Sequence, residues 1–322
     1  PKEMFSGKSL IDFGAGTGEN TVSLANWGAK CTLVEMNIKS QKISKEIFSK
    51  YTNNINDHKF ILSSIFEFDD PKLYNKFDIV HCRGVLSHTL DGKRAFEIIS
   101  KYLKPGGYLI YGDPNRAGGF QNMLQRLIVY KFAKDKESMI QVCEDLFSDD
   151  IDRAQKFAKR TRNCIIFDRW VVECQDDPSV EEVLNWFKNN DLQFYNSYPK
   201  FSLPLSADSL HHKPKFDINN LGNHAHVLSE LIWMTHVKDD VTFVPSMLNS
   251  LKPLGDDFDA LTTMLKNVNP TKELDYKKTV EKIEKTKISL KELDLHKVLN
   301  NEANKILEEV KDLLKILEKN NY

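Results

Sequence analysis

Ser9-Leu10-Ile11-Asp12-Phe13 runs directly into Gly14-Ala15-Gly16-Thr17-Gly18, and the fold follows from this stretch. A short apolar run that ends on a glycine cluster reads as a buried strand entering a tight strand-to-helix turn. Outward from it, Val22, Leu24, Ala25 and Trp27 give one apolar side to a helix over 19–27. A second strand, Cys31 to Val34, ends on Glu35, and a lysine-rich helix near 39–50 leads to a third strand at Phe60–Leu62. Asp78-Ile79-Val80-His81-Cys82 is the fourth strand. An amphipathic helix over 92–103 stops at Lys104-Pro105-Gly106-Gly107, and Tyr108–Tyr111 is the fifth strand. Strands alternating with helices at this spacing predict an α/β fold with a doubly wound, mostly parallel sheet. Such a sheet takes ligands at the carboxyl ends of its strands. The residues there are small or polar: 14–20, Glu35-Met36-Asn37, Ser63-Ser64, Arg83-Gly84 and Gly112-Asp113.

The glycine spacing discriminates between ligands. A dinucleotide fingerprint needs GxGxxG, whereas position 19 is Glu and the run is GxGxG with Asp12 two residues ahead. Asp12 and Glu19 would both repel a pyrophosphate at the helix N-terminus, yet both suit a ligand bearing a sulfonium and an ammonium. No GK[ST] follows, which excludes a P-loop. Glu35, an acid ending the second strand, is placed to accept hydrogen bonds from ribose hydroxyls.

Composition narrows the function classes. The 322 residues carry 45 Lys+Arg against 46 Asp+Glu, a net charge of −1, so the broad positive field of a general nucleic-acid binder is missing. No apolar run approaches the roughly 18 residues of a membrane span. The five cysteines form no CxxC pair, which argues against a disulfide framework or a zinc ribbon and points to a reducing cytoplasm. The chain opens at Pro1 rather than Met, so a preceding segment stays open.

Leu10-Ile11-Asp12-Phe13-Gly14-Ala15-Gly16-Thr17-Gly18 resembles motif I of class I S-adenosylmethionine-dependent methyltransferases. Val34-Glu35 resembles their ribose-binding acid, and Leu103-Lys104-Pro105-Gly106-Gly107-Tyr108-Leu109 the turn before their fifth strand. Phe77-Asp78-Ile79-Val80 with Gly84-Val85-Leu86-Ser87-His88 is similar to the fourth strand and loop of the small-molecule branch known as type 11. The resemblance implies S-adenosyl-L-methionine as cofactor and a Rossmann-like, seven-stranded sheet. It places Gly14, Ala15, Gly16 and Gly18 against the methionine and ribose portions, Asp12 at the methionine amino group directly or through a water, and Glu35 on the ribose. Met36, Ser64 and Ile65 fall beside the adenine, with Ser64 standing where the family usually has Asp. The backbone around Cys82–Arg83 falls at the methionine end, with His88 nearby.

The family closes its sheet with a helix and an antiparallel hairpin. Ser179 and Glu182 form a capping box before Val183, Leu184, Trp186 and Phe187, Leu192–Tyr198 alternates like a strand, and Val241–Val244 reads as the last strand. The chain then divides into a cofactor-binding core (1–113), a helical cap insertion (114–178), the end of the core sheet (179–247, with a second insertion at 199–240) and a helical C-terminal extension (248–322). Helices are expected near 119–134, 137–147 and 149–161. Insertions at this end of a sheet commonly form a substrate pocket.

Several clusters have two readings. Lys156, Lys159, Arg160 and Arg162 could hold an acidic substrate or form a solvated face balanced by Asp149, Asp150 and Asp152. Asp168-Arg169-Trp170 could line a pocket or make an internal ion pair beside a buried ring. His211, His212, His224, His226 and His236 match no zinc spacing, so no metal is expected. Leu295, Leu299, Ala303, Ile306, Val310, Leu313 and Leu317 step nearly as a heptad along a helix opened by a Ser289–Glu292 capping box; this helix packs on its own chain or mediates homo-oligomerisation.

Methyl transfer from a sulfonium is an in-line displacement, and a base matters chiefly for a hydroxyl or protonated amine. His88 and Asp113 are the candidate catalytic residues, with Tyr111 a weaker one. The [ND]PP[YFW] turn of amino-methylating enzymes is absent, since that position reads His81-Cys82-Arg83-Gly84. The leading expectation is a cytoplasmic methyltransferase acting on an oxygen or nitrogen of a small-molecule acceptor. The competing ones are RNA or protein methylation, against which the neutral charge counts, and a non-catalytic subunit of a larger assembly.

Overall fold

The computed structural model describes residues 2–89, 91–157, 160–172, 174–198, 260, 277–278, 280–285 and 297–319. The chain divides into two compact units, one of residues 1–114 with 174–176 and 189–191, the other of the remaining residues.

The first unit holds a five-stranded parallel sheet of β1 (Ser9–Phe13), β2 (Lys30–Glu35), β3 (Lys59–Leu62), β4 (Phe77–Arg83) and β5 (Leu103–Gly112) in the order β3-β2-β1-β4-β5. Helices α1 (Glu19–Asn26), α2 (Ile38–Tyr51) and α3 (Gly92–Ser100) make the crossovers, and the strand order reverses between β1 and β4. Parallel strands covered on both faces are apolar throughout. Leu10, Cys31, Leu33 and Ile79 pack with Phe48 of α2 on one face. Phe13 meets Phe68 and Tyr102 at ring distances of 5.8 and 5.3 Å. The doubly wound α/β reading thus holds, with five described strands where seven were expected. Leu192–Tyr198 lies among the described residues but is not a strand, because no described strand lies beside it to complete a ladder; Val241–Val244 lies outside them.

The second unit contains α4 (Phe120–Phe132), α5 (Lys136–Phe157), α6 (Arg162–Arg169), α7 (Val180–Asn189) except its last residue, and α8 (Lys297–Glu318). The two helices expected over 137–161 are one element broken at Phe147, whose φ of −129° leaves the helical region. Leu124, Ile128, Val129, Val142, Cys143 and Ile166 form one core with Leu307, Val310, Leu314 and Leu317 of α8. The C-terminal helix therefore buries its apolar stripe within its own chain. Trp170 is fully buried, stacks on Phe147 at 5.5 Å and donates its indole N–H to Gln125 Oε1 at 2.9 Å. Asp168 pairs with Arg160, and Arg162 pairs with Glu144 and Asp152, so the two arginines of this basic cluster are paired within the chain. The Ser179 capping box closes in both directions: Ser179 N donates to Glu182 Oε2 (2.8 Å) and Glu182 N to Ser179 Oγ (3.1 Å). Lys159, the five clustered histidines and the Ser289–Glu292 box lie outside the described residues.

Candidate cofactor and active site

The carboxyl ends of β1, β2, β3, β4 and β5 gather the candidate residues on the first unit. Three glycines of the turn after β1 are left-handed, with φ of 69° at Gly14, 56° at Gly16 and 75° at Gly18. This conformation folds the backbone tightly enough for α1 to begin at Glu19, and side-chain-bearing residues rarely adopt it. A Cβ on Gly14 would meet Val85 at 2.5 Å, and one on Gly18 would meet Ser44 Oγ at 2.5 Å. A Cβ on Gly16 would meet nothing within 4 Å, so the turn presents bare backbone to open space there.

Glu35 ends β2 with its carboxylate anchored on both sides. Oε2 accepts from Gly16 N at 2.8 Å and Oε1 from Asn37 N at 2.7 Å. Each oxygen has a second lone pair, so the carboxylate still accepts from a diol while holding the glycine turn to the end of β2. Ala15 N donates to Val34 O at 3.2 Å. Met36 stands 73 % exposed just beyond, Ile65 is buried, and Ser64 Oγ accepts from Phe66 N at 3.1 Å. An open glycine backbone, a carboxylate at the end of the second strand and an exposed apolar side chain beside it fit an adenosine with an amino-acid tail.

Asp12 is held by two partners within the chain. It is buried, its Oδ1 lies 2.8 Å from His81 Nδ1, and its Oδ2 accepts from Thr21 Oγ1. His81 and Thr21 are the residues that sequence reading missed. The available signal was a histidine inside an otherwise apolar buried strand.

Asp113, at the end of β5, organises the loop after β4. Its Oδ1 accepts from Val85 N (3.0 Å) and Ser87 Oγ (3.1 Å), and Oδ2 from Ser87 N (3.3 Å). Burial pushes its carboxyl above the usual range, while hydrogen bonds from Tyr111 and Ser87 pull the other way. His88 is exposed on the same loop, and its Nδ1 donates to the carbonyl of Cys174 at 3.2 Å. The short segment 174–176 belongs to this unit and braces the loop again through Asp176 N to Ser87 O at 2.7 Å. Arg83 is exposed at the tip of β4, and its side chain runs alongside Gly112. Cys82 is buried, and desolvation holds its thiol well above the ordinary value, which removes it as a nucleophile.

Comparison with known proteins agrees with this geometry. A family model described as a methyltransferase domain matches residues 1–149. The ubiquinone biosynthesis O-methyltransferase of Nitrosospira multiformis is 28% identical over 111 residues, 34% of this chain and 45% of that protein. The protein of the same name from Coxiella burnetii is 30% identical over 114 residues, again 34% and 45%. The chain thus spans less than half the length of these curated relatives. Among solved structures, an S-adenosylmethionine-dependent methyltransferase from Mesorhizobium loti (17% identity, 36% of this chain and 50% of that one) superposes with a TM-score of 0.31. PKMT2 from Rickettsia typhi (16% identity, 58% and 38%) superposes with a TM-score of 0.46. Among the described residues no helix is long and apolar enough to cross a membrane. Residues 1–149, which hold the parallel sheet and its glycine turn, are thus the part of the chain that is similar to a methyltransferase domain.

Proposed function

We propose that this chain methylates a hydroxyl group of a small-molecule acceptor, with S-adenosyl-L-methionine as donor. The observation that carries the reading is the junction of Glu35 with Gly16, which joins a diol-reading carboxylate to a left-handed turn with open space above it. The relatives named O-methyltransferases favour oxygen over nitrogen. When bound, the cofactor supplies a methyl group on a sulfonium, which transfers by in-line displacement. Glu35 would hold the ribose, the backbone of Gly14 to Gly18 would lie along the ribose and methionine portions, and Met36, Ser64 and Ile65 would bracket the adenine.

His88 would take the acceptor's proton. Its Nδ1–H is committed to the Cys174 carbonyl, which fixes the neutral tautomer with a lone pair on Nε2. Asp113 would act through the loop: it holds Val85 and Ser87, and with them the position of His88. Arg83, an exposed cation at the strand tip, would stabilise the oxyanion that forms as the acceptor loses its proton.

Incubation with methyl-labelled S-adenosylmethionine and catechol tests the reading. Labelled O-methyl product is expected, and His88→Ala is expected to lower kcat by about 10²-fold or more with the cofactor KM unchanged. Failure of the wild-type chain to label catechol and its carboxylated or alkylated derivatives would count against a hydroxyl acceptor, and an unchanged kcat in His88→Ala would overturn the role of His88.

A further inference from the structure

Strand alternation places Leu10 and Asp12 of β1, and Ile79 and His81 of β4, on the same face of the sheet. Asp12 and His81 are register partners on the two strands between which the strand order reverses. Below them that face is apolar, with Leu10 and Ile79 in the core. At the carboxyl end the pair is polar and buried, and it lies at the switch point where ligands of such sheets enter.

Both oxygens of Asp12 are engaged inside the protein, one by His81 Nδ1 at 2.8 Å and the other by Thr21 Oγ1 of α1. A carboxylate can only accept, so Nδ1 carries a proton, and in the neutral ring the lone pair lies on Nε2. Among the described residues Nε2 makes no hydrogen bond. Asp12 and His81 are both buried, and within the pair Nε2 is the acceptor atom that no described residue engages.

We infer that His81 Nε2, held by Asp12 and Thr21, accepts a hydrogen bond from the ammonium group of the cofactor's methionine portion. In this chain the imidazole stands where Asp12 or a water held by it would otherwise act. The inference rests on the cofactor reading above and adds a recognition residue to it. It assigns Thr21 a positioning role, because Thr21 holds the Asp12 oxygen that His81 does not use.

Calorimetry on the full chain with three nucleosides tests it. S-adenosylhomocysteine carries the whole amino-acid end, 5′-(3-aminopropylthio)-5′-deoxyadenosine keeps the ammonium without the carboxylate, and 5′-methylthioadenosine has neither. His81→Asn keeps an N–H for Asp12 but removes the outer nitrogen, so the buried carboxylate stays partnered. It is expected to weaken the first two ligands tenfold or more and to leave 5′-methylthioadenosine within twofold. Equal weakening of all three would show a structural role for His81 and overturn the inference, as would no change in any. A loss confined to S-adenosylhomocysteine would show that the carboxylate is read instead, which also overturns it. Wild-type chain that binds none of the three would instead overturn the underlying cofactor reading.

Discussion

Gly14 and Gly16 share a left-handed backbone but have different neighbours, and the difference separates folding from binding. An alanine methyl at 14 would collide with Val85, on the loop that Asp113 organises, at 2.5 Å. An alanine at 16 meets no atom within 4 Å, so it costs only the left-handed penalty of about 1–2 kcal/mol. Gly14→Ala should therefore lower Tm markedly, whereas Gly16→Ala should lower it by a few degrees while weakening S-adenosylhomocysteine more than tenfold. Scanning calorimetry and titration of the two variants check this; undiminished binding by Gly16→Ala would place the ligand elsewhere. The glycines and Glu35 were legible because their roles follow from local spacing. The environment of Asp12 was not, since its partner His81 is 69 residues away and reaches it only through the pairing of β1 with β4.

At the scale of elements, Asp78 ties together the amino-terminal ends of three strands. Its Oδ2 accepts from Ser9 N (2.9 Å) and Ser9 Oγ (2.7 Å) of β1, and its Oδ1 from Lys104 Nζ of β5. The Lys104 ammonium, followed by the Ser9 amide, holds the Asp78 carboxyl far below the usual carboxylate range, against an opposing push from burial. With the unfolded value at about 3.9, this contribution to stability is complete above that pH and is lost as pH falls toward the depressed folded value. Acid unfolding followed by circular dichroism should show wild type losing more stability than Asp78→Asn as the pH falls from 5 to 2. Parallel acid-unfolding curves for the two proteins would contradict the clamp.

The same scale shows which elements could be read ahead. The strands and helices of 9–112 were legible because parallel strands and their crossovers have distinct periods, whereas Leu192–Tyr198 alternates without a described partner. In α8 the expected seam included Leu313, but the buried positions are Leu307, Val310, Leu314 and Leu317. A leucine-rich helix offers two adjacent stripes, and Leu313 and Ile316 indeed pack at the margin of the core. Contact with α4 and α5 decides between them, and that is a tertiary fact.

For the whole molecule, a charge balance of −1 leaves no global field, and specificity must come from the local groups at the sheet's carboxyl edge. That edge combines a glycine turn closed by an acid, a buried Asp–His pair and a loop carrying His88. The acceptor was not legible, because its identity depends on shape and charge assembled from distant segments rather than on a motif. The central claim is that residues 1–113 hold S-adenosylmethionine through the Glu35–Gly16 junction. Isothermal titration of S-adenosylmethionine into the wild-type chain and into Glu35→Ala tests it most directly. The account predicts one site per chain in the wild type and at least a tenfold weaker one, about 1.4 kcal/mol or more, in the variant. An absence of binding by the wild type, or equal affinities for the two proteins, would contradict it.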